Sequence, residues 1–209
     1  MTIDKDRNTP LPVEVVEKET AYQGFFRIDR YQLKHGKFEG GMTELLSREV
    51  FERGHAVGAL AYDPKRDQVV LIKQFRAGAY AAGAQDPWLM EVVAGIIDEG
   101  ETPEAVAKRE MREETGLKST RVKHICSYYV SPGGATESVE LYCLEVDSSE
   151  ADAIAGHEAE GEDIQTHVMS TADALRLMNE NRINNAVSVI ALQWLALHHE
   201  TLRQEWQEG

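Results

Sequence analysis

The fold is decided by residues 95–117, which read GIIDEGETPEAVAKREMREETGL. A helix is predicted inside this stretch because residues that favour helix ends stand at both of its limits. Thr102 is a favourable N-cap, Pro103 suits the first helical position, and Gly116 suits the residue just past the helix end. The stretch therefore predicts a helix that begins at Pro103 and ends before Gly116.

The second half of this helix concentrates carboxylates on one side. Each residue advances about 100° around a helix, so Glu113 and Glu114 lie about 60° and 40° to either side of Glu110. Like charges one turn apart repel each other, and the helix dipole disfavours anions near the C-terminal end. A hard divalent cation such as Mg²⁺ or Mn²⁺ would offset this cost, because such ions prefer carboxylate oxygens. The alternative is a solvated face on which neighbouring Lys and Arg side chains pair with the acids.

Strand-like stretches surround this helix. Alternating apolar and polar residues predict antiparallel strands between residues 13 and 51. An Ala/Gly-rich loop is expected at residues 77–87, and a loop dense in acidic residues at 148–163. Further strand-like stretches lie at 55–62, 69–75, 88–94, 121–130 and 138–146.

Two more helices are predicted downstream. Ser170 and Asp173 resemble a capping box at the start of a helix that ends near Asn181. Strands mixed with three helices, without regular β-α alternation, indicate an α+β fold. The last helix is expected to span 186–204, with a buried face made of Val189, Ile190, Trp194 and Leu197.

The composition argues against several functional classes. The 209 residues include 22 Lys and Arg against 36 Asp and Glu, which gives a net charge of -14. This acidic balance disfavours non-specific binding to nucleic acids or anionic membranes. No apolar run approaches the roughly 20 residues that span a bilayer, and the N-terminus does not resemble a signal peptide. Two cysteines are too few for a disulfide framework, which favours a reducing compartment. Together these features lead us to expect a cytoplasmic protein with no nucleic-acid or membrane partner.

The spacing of the residues in 95–117 resembles the signature of the Nudix hydrolase family. The resemblance implies an α/β/α sandwich with a mixed sheet in residues 52–209, preceded by a small antiparallel β domain in residues 1–51. It also implies hydrolysis of a nucleoside diphosphate that is linked to another group. The matching positions are Gly95, Glu101, Arg109, Glu110, Met111, Glu113, Glu114, Gly116 and Leu117.

The same resemblance implies where divalent metal ions would bind. It makes Glu110 and Glu114 direct ligands and Glu113 a ligand or a support for one, with the Ala94 carbonyl as a further oxygen donor. Two or three Mg²⁺ ions are implied, with Mn²⁺ as a substitute. Many family members have Pro before the Ala-Gly pair, where this chain has Val93. Because the expected ligand there is a backbone oxygen, the change is a minor one.

Residues outside the signature resemble one subgroup of the family, the ADP-ribose pyrophosphatases. The Ser-Pro-Gly sequence at 131–133 stands at the spacing that this subgroup has after the signature, although a plain turn between strands would look the same. An aromatic residue such as Phe25 would stack on the adenine, unless it belongs to the core. Arginines would bind the diphosphate because guanidinium matches phosphate geometry. The implied substrate-binding residues are Phe25, Arg48, Glu49, Arg53, Arg76, Ile96, Ser131, Pro132, Gly133 and Glu137.

The acidic loop supplies the implied general base. By similarity to the mobile loop of this subgroup, Glu160 takes the proton from the attacking water and Glu162 joins the metal ligands, with Glu158 as the alternative base. The products would be AMP and ribose 5-phosphate. In this subgroup the N-terminal domain is exchanged across a homodimer, which is therefore expected here.

Two other functions stay open at this point. A Nudix hydrolase for another nucleotide sugar or a dinucleotide would keep the helix but use a different pocket. A non-catalytic ADP-ribose sensor would keep the pocket, although it would have no need for mutually repelling carboxylates. A serine-hydrolase reading is poor, because Ser131 has no histidine at a recognisable spacing.

Overall fold

The computed structural model describes residues 10–156, 161 and 163–208 of the chain. Two compact units emerge. We call Met1–Gly54 with Tyr129–Glu137 the N-terminal unit, and His55–Tyr128 with Ser138–Gly209 the core unit. None of the helices in the described ranges combines the length and apolar character needed to cross a bilayer.

The N-terminal unit is built on a three-stranded sheet. Its strands are β1 (Val13–Gln23), β2 (Arg27–His35) and β3 (Leu46–Glu52), paired antiparallel in the order β1-β2-β3. The predicted antiparallel strands are thus confirmed. Every residue of β1 is exposed, including three valines and Tyr22, so this strand contributes no buried core within the described chain.

The core unit contains one mixed sheet in the order β10-β11-β5-β4-β9-β8. β4 runs parallel to β9, whereas β5 is antiparallel to β4, β6 and β11. The short strands β6 and β7 pair with the diverging ends of β5 and β4. The strands are β4 (Ala56–Asp63), β5 (Gln68–Phe75), β6 (Trp88–Glu91), β7 (Val93–Ile96), β8 (Val122–Tyr129), β9 (Ser138–Glu145), β10 (Ile154–Ala155) and β11 (Ile164–Ser170).

Four α-helices complete the described chain: α1 (Ala77–Ala81), α2 (Pro103–Thr115), α3 (Thr171–Asn179) and α4 (Ala186–Glu208). The predicted ends of α2 are confirmed. The Thr102 hydroxyl accepts a hydrogen bond from the Ala105 N–H, and Gly116 takes a left-handed φ of 74°. Two loop predictions were incomplete, since 77–87 contains α1 and 148–163 contains both β10 and a 3-10 helix at Ser148–Glu150.

The core sheet buries both of its faces, which makes an α/β/α sandwich. In β4, Val57, Ala59 and Ala61 pack in the cluster that contains the buried residues of α2. The alternate residues Leu60 and Tyr62 pack in the cluster that contains α4. Since successive side chains of a strand point to opposite faces, α2 and α4 cover opposite sides of the sheet. The predicted α+β class and sandwich are confirmed.

The predicted buried face of α4 was only partly right, since Ile190 and Trp194 pack against the core cluster but Leu197 does not. Leu197 is 82% exposed, and Val189, Ile190 and Trp194 are only partly buried. The helix is apolar on several sides over its first half, so apolar character alone does not identify the side that faces the sheet. The buried residues lie within an arc of about 100° on one helical face and are Ser188, Ala191, Leu192, Leu195, Leu202 and Trp206.

The start of α4 holds the point where β6 passes into β7. The side-chain amide of Asn185 donates to the Met90 carbonyl at 2.8 Å. The Val92 N–H donates to the hydroxyl of Ser188, a fully buried residue, at 2.9 Å. These side chains satisfy backbone groups at the junction of two short strands, which explains why a serine lies within the apolar face of α4.

The far end of α4 packs on the turn between β4 and β5. Arg203 and Gln207 both donate to the Pro64 carbonyl, at 3.1 and 2.8 Å. His199 is half-buried and lies 2.6 Å from an Asp67 carboxylate oxygen, whereas its neighbour His198 is exposed. The helix therefore anchors both its first and its last turns against loops of the sheet.

Candidate active site

Glu110 lies directly over Gly95, the first residue of the signature. A Cβ added at Gly95 would lie 2.1 Å from a Glu110 carboxylate oxygen, far inside any permitted contact. Because glycine has no side chain, β7 can approach α2 closely enough for this carboxylate to rest on its backbone. The interval between Gly95 and Glu110 in the signature thus corresponds to a real contact between a strand and a helix.

Glu114 follows one turn later on the same side of α2. It is only 3% exposed, and its Oε2 accepts a hydrogen bond from the Ala94 N–H at 3.3 Å. A carboxylate this well buried is unusual on an amphipathic helix, where buried positions are normally apolar. α2 and β7 therefore bring together Ala94, Glu110 and Glu114, three of the expected metal-binding residues.

Arg109 lies among the acidic side chains of this region. Its Nη1 is 2.8 Å from Glu110 and 3.0 Å from Glu113, and its Nε is 3.5 Å from Glu101. Burial alone would lower the pKa of Arg109, but the charge of Glu110 and the hydrogen bonds that Arg109 donates to Glu113 and Glu101 outweigh it and raise that pKa. The guanidinium thereby reduces the repulsion between the carboxylates and fixes their orientation.

Within the described residues, no three acidic, histidine or cysteine side chains stand in an arrangement that would hold a metal ion. Glu113 is about half exposed and turns towards Arg109. Two expected participants, the base Glu160 and the ligand Glu162, lie outside the described residues, as does the alternative base Glu158. Their roles stay predictions.

Arg76 follows β5 in the core unit and pairs with a residue that the sequence reasoning missed. Its Nε is 2.6 Å from Oε2 of Glu91, which is 6% exposed. Burial raises the pKa of Glu91, and the charge of Arg76 offsets part of that rise. Glu91 could have been noticed as an isolated acid within the apolar run at 88–94. Ile96, another expected binding residue, ends β7 and is 40% exposed.

In the N-terminal unit, aromatic rings and one arginine lie together. Phe25 is 89% exposed and packs edge-on against Phe26, with ring centroids 4.8 Å apart. The Arg53 guanidinium lies 5.9 Å from the Phe26 ring, and its Nη1 is 3.0 Å from Glu137. The exposure of Phe25 contradicts a core position within this unit and leaves one of its faces available for stacking.

The remaining expected binding residues also belong to the N-terminal unit. On β3, the Arg48 side chain donates to the Ser47 carbonyl, and Glu49 pairs with Arg30 at 3.2 Å. The Ser131 carbonyl accepts from the N–H groups of residues 134 and 135, which closes the turn through Pro132 and Gly133. The 129–137 segment then bonds to the end of β3 through residue 51.

Comparison with known proteins agrees with this arrangement. The family model described as the NUDIX domain matches residues 52–191. The chain is 49% identical over 194 residues to the ADP-ribose pyrophosphatase of Escherichia coli K12, covering 93% of this chain and 92% of that protein. It is 42% identical over 199 residues to the ADP-ribose pyrophosphatase of Haemophilus influenzae, covering 94% and 92%.

Two more distant relatives extend the comparison. A GDP-mannose pyrophosphatase of Pectobacterium atrosepticum is 32% identical over 182 residues, which cover 87% of this chain and 93% of that one. A solved structure described as an ADP compounds hydrolase has the same fold, with a TM-score of 0.67 at 19% identity, over 90% of this chain and 96% of that chain. The contact of Glu110 with Gly95 and the family match lead to the same conclusion: the chain belongs to the Nudix hydrolase family.

Proposed function

We propose that the protein hydrolyses the diphosphate bond of ADP-ribose to AMP and ribose 5-phosphate. The observation that carries the proposal is the acidic side of α2, where Glu110 rests on Gly95 and Glu114 accepts from the Ala94 N–H. The substrate assignment is supported by two relatives, at 49% and 42% identity, that are named ADP-ribose pyrophosphatases. The relative that is named a GDP-mannose pyrophosphatase is less similar, with 32% sequence identity.

In the proposed reaction one water molecule adds across the bond between the two phosphates. The water oxygen forms a new bond to one phosphorus, and the bridging oxygen leaves with the other phosphate. The nucleoside side is released as AMP and the sugar side as ribose 5-phosphate. The water must lose a proton as it attacks, so the reaction calls for a base near the phosphorus.

The residues on α2 and β7 suit a divalent cation. Their donor set consists of carboxylate and carbonyl oxygens, which match Mg²⁺ or Mn²⁺ rather than softer metals. The missing side chain at Gly95 gives the Glu110 carboxylate its place beside the strand. We assign two or three ions to Ala94, Glu110, Glu113, Glu114 and Glu162. When bound, such ions lower the pKa of water and neutralise charge on phosphate oxygens.

Other side chains of the protein would bind the substrate and move its proton. Glu160 is proposed to accept the proton of the attacking water. Arg76 and Arg53 would contact the diphosphate, because a guanidinium matches the spacing of phosphate oxygens. Phe25 would stack on the adenine, since 89% of its surface is exposed. The 131–133 turn and Glu137 would lie near the terminal ribose, and Arg48, Glu49 and Ile96 are proposed as further substrate contacts.

The active form is proposed to be a homodimer in the cytoplasm. The fully exposed strand β1 supports the dimer, since it leaves three valines and Tyr22 uncovered within one described chain. Soluble monomers rarely expose large contiguous apolar surfaces. We assign dimerisation to residues 1–51, exchanged between two subunits, and the catalytic domain to residues 52–209.

A substrate panel tests the proposed reaction. The purified protein is incubated with ADP-ribose, GDP-mannose, NADH or diadenosine polyphosphates, in Mg²⁺ and in EDTA, and nucleotide products are separated by chromatography. We expect AMP from ADP-ribose in Mg²⁺ and none in EDTA. GMP from GDP-mannose as the main product would instead assign another nucleotide sugar. Binding of ADP-ribose that is equal with and without Mg²⁺, without release of AMP, would indicate a sensor.

The assignment of the base is tested by replacing Glu160 with Gln. Removal of a general base lowers the rate by about 10²- to 10⁴-fold, so turnover of ADP-ribose should fall by at least roughly a hundred-fold. Glu158→Gln is the matched control, because it makes the same change two residues away and should retain most activity. A large loss in Glu158→Gln and none in Glu160→Gln would reverse the assignment.

A further inference from the structure

A buried carboxylate in β6 has a single partner in the described residues. Glu91 is 6% exposed and contacts Arg76, whose Nε lies 2.6 Å from Oε2. Burying a carboxylate removes its charge from water, and the desolvation cost commonly equals or exceeds the attraction to its partner. Glu91 is therefore not expected to increase the stability of the protein much, and a functional role is expected for it.

The pair lies on the side of the sheet that carries the acidic helix. Glu91 is the cross-strand partner of Ile72, and cross-strand partners share one face of a sheet. Ile72 packs in the cluster that contains Val106 and Met111 of α2. Glu91 therefore reaches Arg76 on the face covered by α2, where the catalytic carboxylates are found. The Arg76 N–H also donates to the Pro87 carbonyl at 2.9 Å, which fixes the backbone beneath the side chain.

A second pair in the core unit shows what a purely structural arginine looks like. Arg121 also places its Nε 2.6 Å from a largely buried acid, Glu145. In addition its Nη2 donates to the other Glu145 oxygen at 2.9 Å and to the Trp206 carbonyl, and its Nη1 donates to the Glu205 carbonyl. All three nitrogens of the Arg121 guanidinium therefore donate to groups of the protein itself.

Arg76 is used differently. Its side chain is 40% exposed, and in the described part of the chain its only side-chain hydrogen bond is the one from Nε to Glu91. A single contact through Nε sets the plane of the guanidinium while leaving both terminal nitrogens for another acceptor. A diphosphate is such an acceptor, because its oxygens match two parallel N–H donors.

We propose that Glu91 is a positioning residue, which orients the Arg76 guanidinium so that its two terminal nitrogens face the diphosphate of the substrate. The inference rests on the proposed function, in which Arg76 binds phosphate. Glu91 touches neither the substrate nor the reacting atoms, and acts through Arg76 alone.

The test is a kinetic comparison of Glu91→Gln with the wild type, using ADP-ribose in Mg²⁺. Glutamine keeps an acceptor for Nε but removes the charge, so Arg76 is held less firmly. We expect KM to rise about ten-fold while kcat changes less than about three-fold, since ground-state and transition-state contacts to the diphosphate weaken together. In an Arg76→Ala background the same change should leave KM unaltered, because no guanidinium remains to be oriented.

Glu145→Gln is the matched control. It makes the same substitution in a pair with the same Nε–carboxylate distance, so it should lower the thermal midpoint without changing KM. An unchanged KM in a folded Glu91→Gln variant would overturn the proposal, as would an additive effect in the Arg76→Ala background. Should Glu91→Gln fail to fold, Glu91→Asp keeps the charge but shortens the reach, and a KM equal to wild type would again overturn it.

The proposed function can fail separately. Wild-type protein that releases no AMP from ADP-ribose would overturn that function together with the role of Glu91. Wild-type activity with an unaffected KM in the Glu91 variants would overturn the role of Glu91 only.

Discussion

Helices α2 and α4 cover opposite faces of one sheet, yet they bury very different side chains. α4 buries Ala191, Leu192, Leu195, Leu202 and Trp206, in addition to one serine. The buried residues of α2 are Val106, Ala107, Met111, Glu114 and Thr115. A position that α4 would fill with an apolar side chain is thus filled in α2 by a carboxylate. The difference indicates that α4 supplies stability, whereas α2 gives up part of its own at a position that we propose holds a cation.

The largest expected effect separates activity from stability on α2. Glu114→Gln keeps the shape of the side chain and an acceptor for the Ala94 N–H, but removes a charge that would hold the cation. Losing several kcal/mol of charge stabilisation corresponds to about a 10³-fold loss of turnover. The free energy of unfolding without metal should change by less than about 1 kcal/mol, since repulsion within the helix is relieved.

Both quantities are measured on one preparation, by AMP release and by urea unfolding. Glu104→Gln is the control, because Glu104 lies on the same helix but is exposed and pairs with Lys108 at 2.6 Å. That variant should match the wild type in both measurements. A Mg²⁺ titration of activity that is unchanged by Glu114→Gln would remove Glu114 from the proposed metal ligands.

On α4 the expectation is the reverse. Leu195 is fully buried, so Leu195→Ala should lower the free energy of unfolding by about 2–5 kcal/mol through lost apolar burial and the cavity left behind. Turnover per folded molecule, measured at low temperature, should stay within about two-fold of wild type. Leu197→Ala is the control, since Leu197 is 82% exposed and its truncation should change stability by less than about 0.5 kcal/mol. Equal losses in both variants would contradict the buried face described for α4.

A smaller effect on stability is expected at acid pH. It comes from the end of β4, beside the β4–β5 turn that the last turns of α4 contact. Asp63 is 1% exposed. Burial alone would raise its pKa, but hydrogen bonds from the Ser148 and Arg66 N–H groups, the Ser148 hydroxyl and the Arg66 guanidinium outweigh it and lower the pKa to about 2. The folded state therefore favours the ionised carboxylate. This contribution is fully present above the ordinary pKa of 3.8 and is lost as pH falls through about 2.

The shift corresponds to about 2 kcal/mol of stability. Urea midpoints of the wild type and of Asp63→Asn, compared from pH 5 to pH 2, measure it. The wild type should be the more stable at pH 5, and the gap should narrow as pH falls. A gap that stays constant over this range would show that the Asp63 charge does not contribute to stability.

Local signals allowed α2 to be predicted to the residue. The N-cap at Thr102, Pro103 and the left-handed Gly116 act within one or two turns, and no distant contact is needed to place them. The signature also placed Glu110 and Glu114 on one side of the helix. The contact between Glu110 and Gly95 could be expected only through the family resemblance. The residues between them in the sequence do not indicate that the two lie close together.

The face of α4 could not be predicted in the same way. Its first half is apolar on several sides, so the buried side is chosen by what the neighbouring strands require. Ser188 is fully buried because the Val92 N–H at the β6–β7 junction needs an acceptor, and this requirement is invisible in the helix sequence itself. Glu91 was not predicted for a related reason. Its partner Arg76 follows a different strand, β5, so the sequence around Glu91 does not show the pairing.

The β6–β7 junction has a mechanical consequence for the whole core unit. Asn185, just before α4, and Ser188 within it hold the backbone at Met90 and Val92, and two residues later the Ala94 N–H is held by Glu114 of α2. Side chains from both faces of the sheet, on α2 and at the start of α4, thus bind the backbone of the same short segment, residues 90–94. Because only two peptide groups separate Val92 from Ala94, the first turn of α4 helps to fix the part of β7 on which Glu114 of α2 rests.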